Sequence, residues 1–368
     1  MILPAEDEFF LHAFVIKGLI PLENERTVMS LYYVLKGRKS NQTEQDTHMY
    51  GLCSYYRFFS ALSKEKWEEI LQQLVNNQMI QIVEHSSNQE KETFRVTSKG
   101  KALVEEAEAK YSFSQWFPSI TATAPVKESE LFWKRLHLMT QTISQLLQRN
   151  TAFFPVVTDK LVQNWVKQKL RDHSARERWL STFALELYQL LIPYPTHLQR
   201  LLMDQLSGIG QVGHTLEQLA QSEQLPVFLV RLKFRYLLIN LMTTLLESEE
   251  TKYPLMKQLL NTTLAQPFGL STSAAATYHY LLQTQDIDQI AKRRGLRKGT
   301  IEDHLVEIVL HCPAWDHSQF LTQSAKIEII TASQELGTKR LKLLREHLAN
   351  RYTYLQIRLA LAQVKENA

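Results

Sequence analysis

The sequence predicts a mainly α-helical chain: an N-terminal winged helix with a small two-stranded wing, a helical middle domain, and a C-terminal helix-turn-helix with a basic helical tail. Three observations predict this fold. Glycine and proline number only 11 each among 368 residues, and both destabilise helix interiors. Hydrophobic residues make up 44% and charged residues 22%, as in a globular chain with a real core. Apolar residues recur at helical spacing over most of the chain, whereas only two short segments alternate as strands do.

The N-terminal region, residues 1–110, contains the parts of a winged helix in order. The polar stretch HSSNQEKE separates the two alternating segments and reads as the loop of a hairpin. The predicted elements are a helix over 25–37, a helix that begins after the N-cap Ser63, strands over 80–84 and 93–97, and a closing helix over 99–110. Winged helices bind DNA and dock proteins alike, so this fold does not decide the function.

Domain boundaries follow from changes in periodicity. The helical pattern lapses over 111–128, where Pro118 and Pro125 appear, and this segment is predicted to be a linker. The pattern is helical over 129–265, which forms the middle domain, and residues 266–368 form the helix-turn-helix domain with its tail.

The sharpest motif lies at residues 286–312. A helix-turn-helix needs a small residue where its helices cross, a turn residue that tolerates positive φ, and an apolar residue early in the second helix. The residues at these positions are Ala291, Gly295 and Ile301. Asp286 is placed to cap the first helix, and Thr300 with Asp303 to form a capping box for the second.

The two helices of this pair carry opposite charges. Cations gather at the end of the first helix and in the turn, where they suit phosphate contacts without base reading. The positions expected to bind DNA are Arg293, Arg294, Arg297 and Lys298. The second helix is expected to turn four positions outward, three of them acidic, and a rigid charged face that repels phosphates suits a protein partner. These positions are Glu302, Asp303, His304 and Glu307. The alternative is a helix pair that packs within its own chain.

A second segment, residues 215–238, repeats this pattern 71 residues upstream. Ala220 and Val230 fall where Ala291 and Ile301 fall, which predicts another helix-turn-helix shape. Its second helix carries three cations that could contact phosphates or form the solvated side of a core helix. They are Arg231, Lys233 and Arg235.

The C-terminal segment 337–358 is strongly basic, with six cations against one acidic residue, Glu346. The cations expected to contact DNA are Lys339, Arg340, Lys342 and Arg345. Tyr352 and Tyr354 add aromatic rings beside the charge, a combination suited to single-stranded nucleic acid. The alternative is a basic solvated helix docked on the preceding domain.

Motifs for catalysis, cofactors and metals are not found. The sequence has no phosphate loop, HExxH, paired CxxC or nucleophile elbow, so neither an enzyme nor a helicase motor is predicted. The stretch Gly208–Gly213 has the residue pattern of a dinucleotide-binding fingerprint. It follows a helical run rather than a strand, so no dinucleotide site is predicted. The spacing of the nearby residues His304, His311, Cys312 and His317 fits no common zinc module.

The sequence also indicates the cellular compartment of the protein. Two cysteines cannot build a disulfide framework, which favours a reducing cytosol. The N-terminus lacks the cationic region of a signal peptide. The most apolar run, residues 236–246, is about half the length of a bilayer-spanning helix, so a core helix is predicted and no membrane role. The net charge of +4 is too small to establish a nucleic-acid partner.

A family resemblance rests on three segments: 286–310, 35–52 (LKGRKSNQTEQDTHMYGL) and the tail 337–362. Together they resemble YpbB-type proteins of Gram-positive bacteria, which carry a helix-turn-helix domain also found in some RecQ-type helicases. The motif maps to Gly295, Leu296, Thr300, Ile301, Glu302, Asp303, His304 and Leu305. The resemblance implies a non-motor protein that assists a RecQ-type DNA helicase in repair or recombination.

The function predicted from the sequence is therefore a non-catalytic adaptor. It would bind a RecQ-type helicase and DNA, single-stranded or at junctions, mostly without sequence preference. The alternative is a helix-turn-helix transcription regulator that reads a specific duplex site.

Overall fold

The computed structural model describes residues 4–83, 92–120, 123–260, 270–284, 286–312 and 315–363. In these ranges the predicted fold class is confirmed: seventeen α-helices accompany one two-stranded sheet. The chain forms two compact units. Unit 1 contains Met1–Ala13, Glu105–Ser119 and Ala124–Thr262, and unit 2 contains Phe14–Val104, Ile120–Thr123 and Thr263–Ala368. The three domains expected from the sequence stay a prediction.

The winged helix contains the predicted helices and wing. Ser63 caps α4, its hydroxyl accepting a hydrogen bond from the backbone N–H of Lys66. The two strands pair antiparallel with Ile80 opposite Val96. The elements are α1 (Ala5–Leu19), α2 (Val28–Lys36), α3 (Asn41–Met49), α4 (Lys64–Asn76), β1 (Ile80–Val83), β2 (Thr93–Val96) and α5 (Ser98–Tyr111). Helices α1 and α5 contribute residues to both units. The predicted wing loop lies almost entirely outside the described residues.

Helix α3 has no apolar periodicity and is not predicted from the sequence. The Ser40 hydroxyl caps it by accepting a hydrogen bond from the backbone N–H of Thr43. Its inner face buries polar side chains, and Asp46 among them accepts a hydrogen bond from Arg26 Nε at 2.9 Å. This ion pair and the cap replace the apolar contacts on which a sequence pattern depends.

The C-terminal part of unit 2 contains the predicted helix-turn-helix. Ala291 is 7% exposed, Ile301 is fully buried, and Gly295 ends the first helix with a φ of 61°. Asp286 caps that helix as predicted, accepting hydrogen bonds from two backbone N–H groups. The helices are α12 (Thr272–Leu281), α13 (Ile287–Arg294), α14 (Lys298–His311), α15 (Gln323–Leu336), α16 (Leu341–His347) and α17 (Tyr354–Leu361).

The capping box predicted for the second helix is wrong. Helix α14 begins at Lys298, and its N-cap is Arg297, which makes no side-chain capping bond. Thr300 therefore lies inside the first turn rather than before it.

Unit 1 contains the helical middle region. Helix α11 includes the apolar run 236–246 and buries ten residues, as expected of a core helix. Its helices are α6 (Ala124–Leu147), α7 (Lys160–Lys169), α8 (His173–Leu191), α9 (Thr196–Met203), α10 (Leu216–Glu223) and α11 (Val227–Glu247). The glycine-rich stretch between α9 and α10 is an interhelical turn with a single bridge between Gly208 and Gln211. In the described part of the chain, no helix combines the length and hydropathy needed to cross a membrane.

Candidate nucleic-acid and partner interface

The turn between α13 and α14 carries cations that face solvent. Arg293 and Arg297 are exposed. Lys298 is also exposed, and its Nζ lies 3.0 Å from Asp288 Oδ2. This hydrogen bond raises the pKa of the lysine, which stays charged. The turn thus presents three positive charges at the place that the sequence predicts.

Arg294 differs from its neighbours because its guanidinium is bound within unit 2. Its Nη1 donates to the carbonyl of Ser273 at 2.8 Å and to the hydroxyl of Thr277, and it lies 3.4 Å from Nδ1 of His304. These contacts join α13 to α12 and α14. Arg294 therefore positions helices, and the DNA surface proposed below does not include it.

The acidic face predicted on α14 is only partly exposed. Glu302 and Asp303 are partly exposed, but His304 and Glu307 are 6% and 8% exposed. The expectation that these last two face outward is wrong, because α12 packs on that side of α14. The sequence pattern of α14 alone cannot show which neighbour covers it.

Helix α12 also supplies hydrogen-bond partners for the buried polar residues Glu307 and His304 of α14. Glu307 accepts hydrogen bonds from the backbone N–H and the hydroxyl of Ser271, which is the N-cap of α12. A carboxylate there interacts favourably with the positive end of the helix dipole. Burial, reinforced by the charge of Glu44, raises the pKa of Glu307. His304 Nδ1 lies 2.8 Å from the hydroxyl of Thr277, and burial lowers its pKa.

Asp303 connects three helices of unit 2. Its carboxylate lies 2.5 Å from Nη2 of Arg358 on α17, and it accepts a hydrogen bond from Nδ2 of Asn41, just inside α3, at 2.8 Å. Arg358 Nε also donates to Oε1 of Gln45 at 3.1 Å. Asp303 therefore pairs with a tail cation of the same chain, and this pairing competes with contacts to a partner protein. Glu302 is left as the acidic position best placed to meet a partner.

The basic tail is a pair of helices, as predicted, but its cations differ in their surroundings. The backbone N–H of Lys339 donates to Glu25 at 2.9 Å, and its Nζ donates to the carbonyl of Met49. Lys339 therefore binds the winged-helix part of unit 2. Arg340 is partly exposed and is the N-cap residue of α16.

C-terminal to Lys339 and Arg340, the tail presents a patch of aromatic and cationic side chains. Lys342 is exposed, with Nζ 4.0 Å from Glu346. The guanidinium of Arg345 lies 4.7 Å from the ring centre of Tyr354, which is 44% exposed. An exposed ring beside a cation is an arrangement on which a base can stack. Tyr352 instead donates its hydroxyl to Glu328.

The three cations of α11 lie in partly buried surroundings. Arg231 lies 3.9 Å from Glu217, and burial lowers its pKa. Lys233 Nζ is 5.3 Å from the ring centre of Trp116, and burial lowers its pKa too. Arg235 is also partly buried. Contacts within unit 1 thus compete with phosphate for these side chains.

A further cluster of aromatic and basic residues lies at the end of α2. Arg38 packs with its guanidinium 4.5 Å from the ring centre of Tyr33, and Lys36 donates to the hydroxyl of Tyr32. These side chains line a surface cavity of about 420 Å³ together with Gly37, Arg57 and Ser60. This cluster is not predicted from the sequence, although the alternation of aromatic and basic residues in YYVLKGRK is the signal that would have indicated it.

Two segments of the chain match domain families. Residues 14–115 match the RQC domain, and residues 273–361 match a helix-turn-helix domain. Both are DNA-binding domains associated with RecQ-family helicases, and neither is catalytic. The two matched segments are therefore similar to DNA-binding domains of the RecQ-helicase-associated class.

A relative matches over nearly the whole chain. Protein YpbB of Bacillus subtilis (strain 168) is 26% identical over 349 residues, which cover 95% of this chain and 96% of that protein. The chain is a YpbB homologue, and the resemblance noted from its motifs is confirmed. No solved structure gives a significant match.

Proposed function

We propose that this protein is a non-catalytic accessory protein of a RecQ-type helicase. It binds the helicase through one surface and DNA, single-stranded or at a junction, through another. It works in DNA repair or recombination in the cytoplasm. The matched domains and the YpbB homologue support a DNA-binding protein associated with RecQ-type helicases. The distribution of charge in unit 2 supports separate surfaces for DNA and for the helicase.

The observation that carries this proposal is the contrast between the turn and α14. Exposed cations lie at the end of α13 and in the turn, at Arg293 and Arg297, whereas the first turns of α14 carry the partly exposed Glu302 and Asp303. A base-reading helix would have to bring these carboxylates toward the phosphates that flank the groove, which costs electrostatic free energy. Cations in a turn contact phosphates without reading bases.

DNA binding is tested by a salt titration. We expect the full chain to bind single-stranded, forked and duplex DNA weakly, and log affinity to fall linearly with log salt because counterions are released. Fluorescence anisotropy with labelled oligonucleotides of unrelated sequence measures this. A single duplex sequence bound tightly at about 200 mM salt, where backbone-only binding is strongly weakened, would contradict the proposal and favour a transcription regulator.

Helicase binding is tested by co-purification with a RecQ-type helicase, with and without DNA. We expect Glu302→Lys to abolish co-purification, because it reverses the charge of the partly exposed acidic position of α14, and to leave DNA binding equal or stronger. The matched control is Glu335→Lys, which reverses an exposed glutamate on α15 and should change neither property. Glu307 is not reversed, because a buried lysine would destabilise the fold.

The outcomes separate the two parts of the proposal. If the unaltered chain does not co-purify with the helicase, the accessory role is wrong. If co-purification survives Glu302→Lys, the helicase binds another surface, and the role predicted for the acidic positions is wrong.

A further inference from the structure

Three metal-ligating side chains meet where α3 contacts α14 inside unit 2. Glu44 and His48 are four residues apart on α3, so they lie on the same face of the helix. His311 is the last residue of α14 and is 9% exposed. One ligand atom from each of the three lies within 4.8 Å of the others. A span of 263 residues separates His48 from His311, so no spacing rule could connect them.

The distances in this cluster suit a small ion. Nε2 of His311 lies 3.4 Å from Oε1 of Glu44, and the rings of His48 and His311 are 5.6 Å apart at an interplanar angle of 82°. Bonds of about 2.0–2.2 Å at tetrahedral angles place zinc ligands roughly 3.3–3.6 Å from one another. The pair of Glu44 and His311 already has this separation, and the ligand atom of His48 lies within 4.8 Å of both.

Other side chains hold the ligands in place. The hydroxyl of Thr123 donates to Oε1 of Glu44 at 2.9 Å, and Sγ of Cys53 lies 4.0 Å from Nδ1 of His48. Such outer contacts orient metal ligands and limit their motion. Two imidazoles and one carboxylate form a donor set that prefers zinc and its neighbours among the transition metals to magnesium or calcium.

We propose that Glu44, His48 and His311 bind one divalent transition-metal ion of the zinc type, and that the ion joins α3 to α14. No metal site is predicted from the sequence, because the spacing of the histidines in 304–317 fits no common zinc module. The ion site also goes beyond the proposed function, because an ion here would hold the region matched to the RQC domain against the helix-turn-helix region, whatever these regions bind.

The experiment uses the full chain stripped of metal with a chelator. Titration with Zn²⁺ by calorimetry should show one equivalent bound, and Co²⁺ should give the visible absorption of a site with mixed nitrogen and oxygen ligands. Zn²⁺ should raise the melting temperature, because an ion that binds only the folded state stabilises it. Mg²⁺ at the same concentration should do neither.

Three variants test the ligands: Glu44→Gln, His48→Asn and His311→Asn. Each should weaken Zn²⁺ binding by more than the roughly 10–100-fold that loss of an outer-shell partner costs. The matched control is His279→Asn, which removes an exposed histidine of α12 in the same unit and should leave binding unchanged. Circular dichroism of each metal-free variant checks folding. Should the buried His311→Asn fail to fold, Glu44→Gln still tests the site, because it preserves shape and the oxygen that accepts from Thr123.

Two results would overturn the inference. The first is a wild-type chain that binds no Zn²⁺ after stripping. The second is Zn²⁺ binding that persists unchanged in folded Glu44→Gln and His48→Asn, since the ion would then lie on other histidines. Both results concern metal binding alone, so they leave the proposed helicase and DNA roles untouched.

Discussion

The pairs α10–α11 and α13–α14 are two versions of one shape with different surfaces. In both, the first helix carries a buried alanine: Ala220 is 5% exposed and Ala291 is 7% exposed. In both, a fully buried branched residue, Val230 or Ile301, packs early in the second helix. Both first helices end at a residue with positive φ.

The surfaces differ because the second helices differ in their surroundings. Helix α11 runs for 21 residues with ten of them buried, and its cations pack against an acidic or aromatic side chain of unit 1. In α13–α14 the cations lie at the end of the first helix and in the turn, where Arg293 and Arg297 reach solvent. The comparison teaches that a helix-turn-helix is first a way to pack two helices. The same arrangement of two helices can present its cations to solvent or keep them partly buried.

The largest expected effect tests the shared packing. Ile301→Ala should lower the free energy of unfolding by about 2–5 kcal/mol, because it leaves a cavity at a fully buried position. Val230→Ala should destabilise by a smaller amount, since fewer atoms are removed. Urea denaturation followed by circular dichroism measures both. A Val230→Ala protein as stable as the wild type would show that the upstream pair does not pack as its counterpart does.

The second prediction tests the difference in exposure. The double variant Arg293→Ala/Arg297→Ala should reduce the slope of log affinity against log salt by about 2 on duplex DNA, because two phosphate contacts are lost. The matched variant Arg231→Ala/Lys233→Ala removes the same charge from α11 and should leave the slope unchanged. Anisotropy titrations at several salt concentrations provide both slopes. Equal losses in the two variants would remove the distinction between the pairs.

The smallest expected effect is a change in stability at the turns of the two pairs. Substitution at Gly295 should destabilise the protein, whereas substitution at Gln224 should not. Gly295→Ala should cost about 1 kcal/mol, because a Cβ disfavours the left-handed region, although the described residues leave space for it. Gln224, with a φ of 54°, already carries this strain, so Gln224→Gly should stabilise the protein slightly or leave it unchanged. Thermal melts of both variants decide the matter. A stabilising Gly295→Ala would mean that this turn does not need positive φ in solution.

Parts of the candidate site follow from the sequence, and others do not. Arg293 and Arg297 are exposed where the charge pattern places them, since a short turn has few neighbours that could cover it. Their neighbour Arg294 is bound by Ser273 and Thr277, residues that a turn motif does not include. Helix α3 was not predicted because its buried face is polar, with Asp46 held by an ion pair rather than by apolar contacts. The binding roles of these positions remain predictions.

The sequence by itself determined the local features: helix α13 with its cap at Asp286, the turn at Gly295, the two-stranded wing and the core helix α11. These depend on hydrogen bonds, backbone preferences and apolar spacing within a few residues of one another. Only the tertiary structure decided that α12 buries Glu307, and that α3 approaches α14 so that His48 meets His311. Burial depends on segments far apart in the chain, and a local pattern has no information about which of them covers which face.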